Sequence, residues 1–256
     1  MTMISRGWFE DRGEELKAVL AFSSRFPLAR AKPPAGDAIA KASWAFPFTG
    51  LVIGVIGAAV YALARWLGLP PWPAATLSVA ATLVVTGCLH EDGLADTVDG
   101  FGGGKTRGQK LEIMRDSRTG AYGVCALVLS LLLRVGALAS FGDTHSVVWA
   151  LIAAHTAARA AIPALMWLLP PARSDGLSFQ AGRPPGETVA AAAAIAFVVL
   201  LFCLHPGRGV MTSIVLIIAV ALMAWLSTRQ IEGQTGDVLG ALEQVCEILV
   251  LLAALA

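Results

Sequence analysis

A chain of 256 residues that is 56% hydrophobic and only 14% charged, with a mean hydropathy of +0.70, has too little polar surface for a water-soluble globule, in which about a quarter of the residues carry charge. The net charge of +1 is uninformative, and no basic tract points to nucleic acid. The apolar residues fall in long blocks, which is the composition of an all-α, polytopic transmembrane helical bundle.

In chain order, the first residues do not read as a cleavable signal, because Glu10, Asp11, Glu14 and Glu15 interrupt them and no long apolar stretch follows Arg6. A half-span near residues 14–28 reads as an interfacial or re-entrant helix. Seven stretches reach the roughly 20 apolar residues that a crossing needs: 45–66, 72–90, 121–142, 147–169, 187–204, 209–228 and 238–256. The expected total is six to eight spans in one integral-membrane domain over 1–256. Trp44, Trp66, Trp72, Trp149 and Trp167 stand at expected span ends, where amphipathic rings favour the headgroup level. Cys88, Cys125, Cys203 and Cys246 are scattered, with no C-x-x-C pair, so neither a disulfide framework nor a zinc site is expected.

Short connections (67–71, 143–146, 205–208) alternate with long ones (91–120, 170–186, 229–237). The short set offers Arg208, with Arg65 at the margin. The N-terminal segment and the long set hold Arg6, Arg12, Lys17, Arg25, Arg30, Lys32, Lys41, Lys105, Arg107, Lys110, Arg115, Arg118, Arg173, Arg183 and Arg229. Basic residues concentrate on the cytoplasmic side, so the N-terminus and every long loop are expected in the cytoplasm. One site could then be assembled from several loops.

The most informative stretch follows the second span: His90-Glu91-Asp92-Gly93-Leu94-Ala95-Asp96-Thr97-Val98-Asp99-Gly100. Asp92, Asp96 and Asp99 are spaced i, i+4, i+7, so a helix would set three carboxylates on one face. Such carboxylates repel one another unless a cation neutralises them. Oxygen donors suit Mg²⁺, which takes one or two carboxylates and fills its shell with water and substrate phosphates. The bland alternative is a solvated acidic edge. His90 could be a ligand or a hydrogen-bonded histidine at a helix end. Gly100-Phe-Gly-Gly-Gly-Lys105-Thr106 reads either as a phosphate-approaching loop or as a flexible turn. It is not a P-loop, because Asp99 stands where that pattern needs glycine.

Arg115-Asp116-Ser117-Arg118 offers two guanidinium groups for phosphate or for plain membrane anchoring. Asp116 is a further candidate ligand or proton acceptor. His155 and Arg159 share one face of a deeply apolar span, where a charge needs a partner, whether carboxylate or substrate. Arg134 has the same ambiguity. The loops Arg173-Ser-Asp175-Gly176-Leu-Ser178 and Gly233-Gln234-Thr235-Gly236-Asp237 are polar and fall on the same side. Asp237 could ligate metal or cap the last span. Gln244 and Glu247 further along that span suggest a wet or liganded interior.

Taken together, HEDGLADTVDGFGGG and KLEIMRDSRTGAYG resemble the cobalamin synthase family, the adenosylcobinamide-GDP ribazoletransferases. Similar correspondences run in order along nearly the whole chain: Phe22-Ser-Ser-Arg25-Phe-Pro27, Phe46-Pro47-Phe-Thr-Gly50-Leu-Val-Ile-Gly54, Ala158-Arg159, Leu168-Leu-Pro170-Pro-Ala-Arg173-Ser-Asp175-Gly176 and Gly233-Gln-Thr-Gly236-Asp237. Glu91 departs from the usual leucine, so it is not expected to serve the chemistry, and the loop after Gly100 is glycine-richer than usual. The resemblance implies Mg²⁺-dependent transfer of adenosylcobinamide phosphate from adenosylcobinamide-GDP to α-ribazole or α-ribazole 5′-phosphate, with release of GMP. Under it, Asp92, Asp96 and Asp99 hold metal, with Asp116 or Asp237 completing the site and one acid taking the acceptor's proton. Arg115, Arg118 and Arg159 neutralise phosphates, and His90, Lys105, Asp175, Gln234 and Thr235 contact substrate. The bilayer is one partner; a homo-oligomer or other corrinoid-pathway membrane proteins remain open. Two other classes compete. A CDP-alcohol phosphotransferase pattern starts at Asp96-x-x-Asp99-Gly100 but fails at Gly103-Gly104. An ion-coupled transporter would place its acids near the midplane.

Overall fold

A computed structural model describes residues 6–26 and 38–256; Pro27, Arg30 and Lys32 lie outside them. The described chain is helical throughout: α1 (Arg6–Ser23), α2 (Ala38–Lys41) running through a 3-10 turn (Ala42–Ala45) into α3 (Phe46–Trp66), α4 (Pro71–Thr86), α5 (Leu89–Gly103), α6 (Arg107–Ile113), α7 (Ala121–Ser140), α8 (Thr144–Leu168), α9 (Leu177–Ala181), α10 (Gly186–Leu204), α11 (Pro206–Ile231) and α12 (Gly236–Leu255). Six helices are long and apolar enough to cross a bilayer. The bent pair α4–α5 makes a seventh if it is counted as one crossing. This is the expected polytopic bundle. α1 is not among the crossing helices and packs on the 3-10 turn and α3. Its Glu15 accepts a 2.5 Å hydrogen bond from the Trp44 indole.

α8 is the central post. Nearly its whole length is buried between α3, α10 and α12. Lipid supplies no hydrophobic drive between helices, so close backbone approach through small residues takes over. Gly50 and Gly54 of α3 provide it: a Cβ on Gly50 would lie 2.1 Å from the His155 carbonyl oxygen, and one on Gly54 2.8 Å from that of Leu151. Gly50→Ala must therefore push α3 off α8. It is expected to destabilise by at least about 1–3 kcal/mol, read as a lower unfolding midpoint in detergent. An unchanged midpoint would mean the two backbones can part freely.

One expected boundary is wrong. The second span was placed at 72–90, but α4 stops at Thr86, and α5 leaves at 89° to it. Two consecutive left-handed residues make the corner, Gly87 (φ +65°) and Cys88 (φ +59°). Glycine takes that conformation freely, whereas cysteine pays strain of order 1 kcal/mol or more. The corner aims α5, with its acidic residues, across the ends of α12 and α7.

The long connections do meet at one end. Gln234 bridges the backbone on either side of Pro171 (Ala172 N–H to Gln234 O 2.8 Å, Gln234 N–H to Pro170 O 2.9 Å). Arg107 donates to the carbonyls of Ile231 and Ala172, and Arg115 reaches Asp175. The N-terminal segment joins them, with the Arg25 N–H on the Val85 carbonyl at 2.7 Å. His145, His205 and Arg208 of the short connections gather with Trp149 of α8 around a small opening of their own.

Candidate active site at the converging loops

The loop end holds a cleft of about 280 Å³ lined by Asp92, His90, Arg173, Asp175, Ser178, Gln234, Thr235 and Asp237, with apolar walls from α1, α3 and α8. A glycine crossing builds it. Gly93 of α5 lies on the first turn of α12, where an added Cβ would be 2.8 Å from the Asp237 carbonyl oxygen and 3.2 Å from the Gly240 Cα. This contact brings Asp92 and Asp237, 145 positions apart in sequence, to one opening.

The four expected metal carboxylates divide into three states. Asp92 is exposed and Asp96 half-buried. Among the described residues, neither accepts a hydrogen bond nor forms an ion pair, and the charges acting on Asp96 come from Asp92, Asp237 and Asp99, opposed by Arg173. Asp237 is partly engaged: it accepts from the Thr235 hydroxyl at 3.1 Å and faces the Arg173 guanidinium at 3.4 Å. Asp99 is fully engaged. Its oxygens accept the backbone N–H groups of Gly120 (2.6 Å) and Gly123 (2.9 Å), capping the positive end of α7. A Cβ on Gly120 or Gly123 would fall 2.5 or 2.3 Å from that carboxylate, so both glycines clear its path.

The basic candidates disperse. Arg115 holds both oxygens of Asp175 (2.7 and 2.6 Å) outside the cleft wall. Arg118, 87% exposed, pairs with its neighbour Asp116. Its hydrogen bonds hold the Asp116 carboxyl down at about 2, which makes Asp116 a poor proton acceptor. Arg159 does not reach the cleft. Its side chain is 1% exposed and sits 2.8 Å from Glu243 of α12. Lys105 is exposed, and the glycine run before it is no phosphate cradle. α5 continues to Gly103, and Gly100 and Gly104 make room for α6: a Cβ there would lie 2.9 Å from the Lys110 carbonyl oxygen and 2.7 Å from the Lys110 nitrogen, respectively. Thr106 and Gln109 form a capping box on α6. Two expected substrate contacts also serve the fold. Gln234 accepts the Ser178 hydroxyl, and Thr235, not Asp237, caps α12.

The polar residues of the last span face each other instead of a wet cavity. Glu247 contacts Arg134 (3.4 Å) and His155 (3.2 Å), Glu91 contacts Arg134 (3.0 Å), Glu243 contacts Arg159 (2.8 Å) and His90 (3.5 Å), and Gln244 receives the Ser130 hydroxyl. The ligand atoms of His155, Glu243 and Glu247 lie within 4.8 Å of one another. Two guanidinium groups, Arg134 and Arg159, supply positive charge to this cluster. Glu243 and the Glu91–Arg134 pair were not anticipated. The signal was present: Glu243 and Glu247 on one apolar span match His155 and Arg159 on another, both at i, i+4.

The fold and cleft define a polytopic helical membrane protein with a polar cleft, lined in part by carboxylates, at one end of its bundle. The chain belongs to the family described as cobalamin-5-phosphate synthase, whose profile matches residues 15–255. A protein of Bradyrhizobium diazoefficiens called adenosylcobinamide-GDP ribazoletransferase is 54% identical over 94% of this chain and 93% of its own. Proteins of the same name from Mesorhizobium japonicum and Azorhizobium caulinodans are 50% and 45% identical over 94% of this chain, covering 92% and 95% of their own lengths. No solved structure matches.

Proposed function

We propose that this chain transfers adenosylcobinamide phosphate from adenosylcobinamide-GDP to the 5′-oxygen of α-ribazole or α-ribazole 5′-phosphate. The acceptor oxygen attacks the phosphorus bonded to cobinamide, the bond from that phosphorus to the GMP oxygen breaks, and the hydroxyl proton and GMP leave. Similarity over nearly the full length of relatives that share one name carries this reading of the reaction.

The donor set fits Mg²⁺. Asp92 and Asp96 are carboxylates without protein partners among the described residues, and Asp237 shares the cleft with Asp92, enough for an ion that takes one or two carboxylates and fills its shell with water and phosphate oxygens. When bound there, Mg²⁺ supplies charge neutralisation for pyrophosphate oxygens. The remaining work falls to the chain itself. Asp99 locks α5 to α7 and so fixes the direction of Asp92 and Asp96. Thr235 steadies Asp237. Arg173 offers positive charge within the cleft. The apolar wall from Phe22, Phe46 and Ile162 limits water. The excess of cations in the long loops supports a cytoplasmic site in the inner membrane.

Purified protein given adenosylcobinamide-GDP, α-ribazole and Mg²⁺ should release GMP, lose that activity in EDTA and regain it with added Mg²⁺. A folded preparation that releases no GMP rejects the transferase. One that is indifferent to EDTA rejects the metal.

A further inference from the structure

Of the arginines and lysines among the described residues, only Arg173 lines the cleft. It sits in the loop between α8 and α9, with its side chain 17% exposed. Its guanidinium is 3.4 Å from Asp237 Oδ2 and 3.7 Å from Asp175 Oδ1. Both contacts are longer than the 2.7–2.9 Å of a good charge-assisted hydrogen bond. Its Nη1 is shielded from solvent and has no hydrogen-bond partner. Asp175 is held more tightly from the other side, by Arg115 at 2.6 Å. Arg173 is thus loosely tethered to a carboxylate of the candidate metal site and keeps an unused donor.

The charge balance says what would move it. Asp96 lies beside the like charges of Asp92, Asp237 and Asp99 with Arg173 alone opposing them, and Arg115 is committed to Asp175, so carboxylates outnumber cations around the cleft and the balance favours an added cation. A dication on Asp92, Asp96 and Asp237 would compete with Arg173 for Asp237, because both need the same oxygens and repel each other. Once displaced from Asp237, a guanidinium inside the cleft has its planar fork free for phosphate oxygens. We infer that Arg173 is the diphosphate-binding residue of the cleft and that it exchanges Asp237 for the diphosphate when a divalent cation arrives. This rests on the metal reading above and adds a residue and an order of events to it.

The test uses the purified full chain without corrinoid substrate. Mn²⁺ binding is followed by electron paramagnetic resonance, and inorganic pyrophosphate binding is then measured on the Mn²⁺-loaded protein. Arg173→Gln should tighten Mn²⁺ by roughly tenfold, since a like charge beside the ligands is gone. It should weaken pyrophosphate by roughly tenfold or more. Arg173→Lys keeps the charge but not the fork, so Mn²⁺ should bind as in the parent while pyrophosphate weakens several-fold. A residue that only held the loop in place would weaken both ligands together. Mn²⁺ affinity that is unchanged or lower in Arg173→Gln overturns the exchange, and unchanged pyrophosphate affinity overturns the phosphate role. If Arg173→Gln fails to fold, the Lys variant decides: pyrophosphate affinity equal to the parent's overturns the proposal. A parent chain that binds no Mn²⁺ sinks the metal reading and this inference together, whereas Mn²⁺ binding indifferent to position 173 sinks this inference alone.

Discussion

Asp92→Asn or Asp96→Asn will lower GMP release by at least about a hundredfold without lowering the unfolding midpoint in detergent. The two effects share one cause. Neither carboxylate has a partner among the described residues, and each lies beside other negative charge. Neutralising one removes repulsion from the metal-free protein and removes a ligand from the working one, so stability should hold or rise while turnover collapses. This is the sign expected of residues kept for function at the expense of stability. Asp99→Asn should behave differently. The amide replaces a charged acceptor that caps α7 through Gly120 and Gly123, and its NH₂ group faces backbone donors it cannot satisfy. A loss of about 1–2 kcal/mol is expected, seen as a lower midpoint, with any activity loss following from a shifted α5. If Asp92→Asn and Asp99→Asn change midpoint and turnover alike, the division of the acidic helix into free and engaged carboxylates is wrong.

That division could not be read from the sequence, although the acids themselves could. Spacing placed Asp92, Asp96 and Asp99 on one helical face, and α5 is that helix. Whether an oxygen is free depends on groups distant in the chain: Gly120 and Gly123 for Asp99, Arg173 for Asp237. Spans were legible because hydropathy is a property of each segment alone. The corner at Gly87-Cys88 was not, because apolar residues continue through it and a single glycine in a membrane helix carries little information. The run Gly100–Thr106 misled for a related reason. Glycine marks close approach, and the sequence does not say whether a phosphate or another helix approaches. The capping pair Thr106 and Gln109 was the clue that a helix begins there. The arginines illustrate the same limit. A charge inside an apolar span demands a partner, but two partners were open for Arg159, and Glu243 on α12 is the one the fold supplies.

The buried network yields the second large effect. Glu91, Glu243 and Glu247 contribute three carboxylates to a dry interior that holds two guanidinium groups, Arg134 and Arg159. Removing a cation worsens that imbalance. Arg134→Ala leaves Glu91 and Glu247 without their shared partner, and breaking a buried pair from one side typically costs about 3–5 kcal/mol. The variant is expected to lose much of its yield and to unfold at a markedly lower temperature. Removing Glu91 acts in the opposite direction. One of its oxygens is buried without a hydrogen-bond partner, and Arg134 would keep Glu247 at 3.4 Å. Two carboxylates would then face two guanidinium groups. Glu91→Leu is therefore expected to match or exceed the parent in midpoint and to release GMP at the parent rate, whereas Glu247→Leu, which strips both Arg134 and His155 of a partner, should be destabilised. Unfolding midpoints of the three variants decide the matter. A fall for Glu91→Leu as deep as that for Arg134→Ala would mean that the third carboxylate is balanced by a proton or cation held in the network, and the charge count would have to be redrawn.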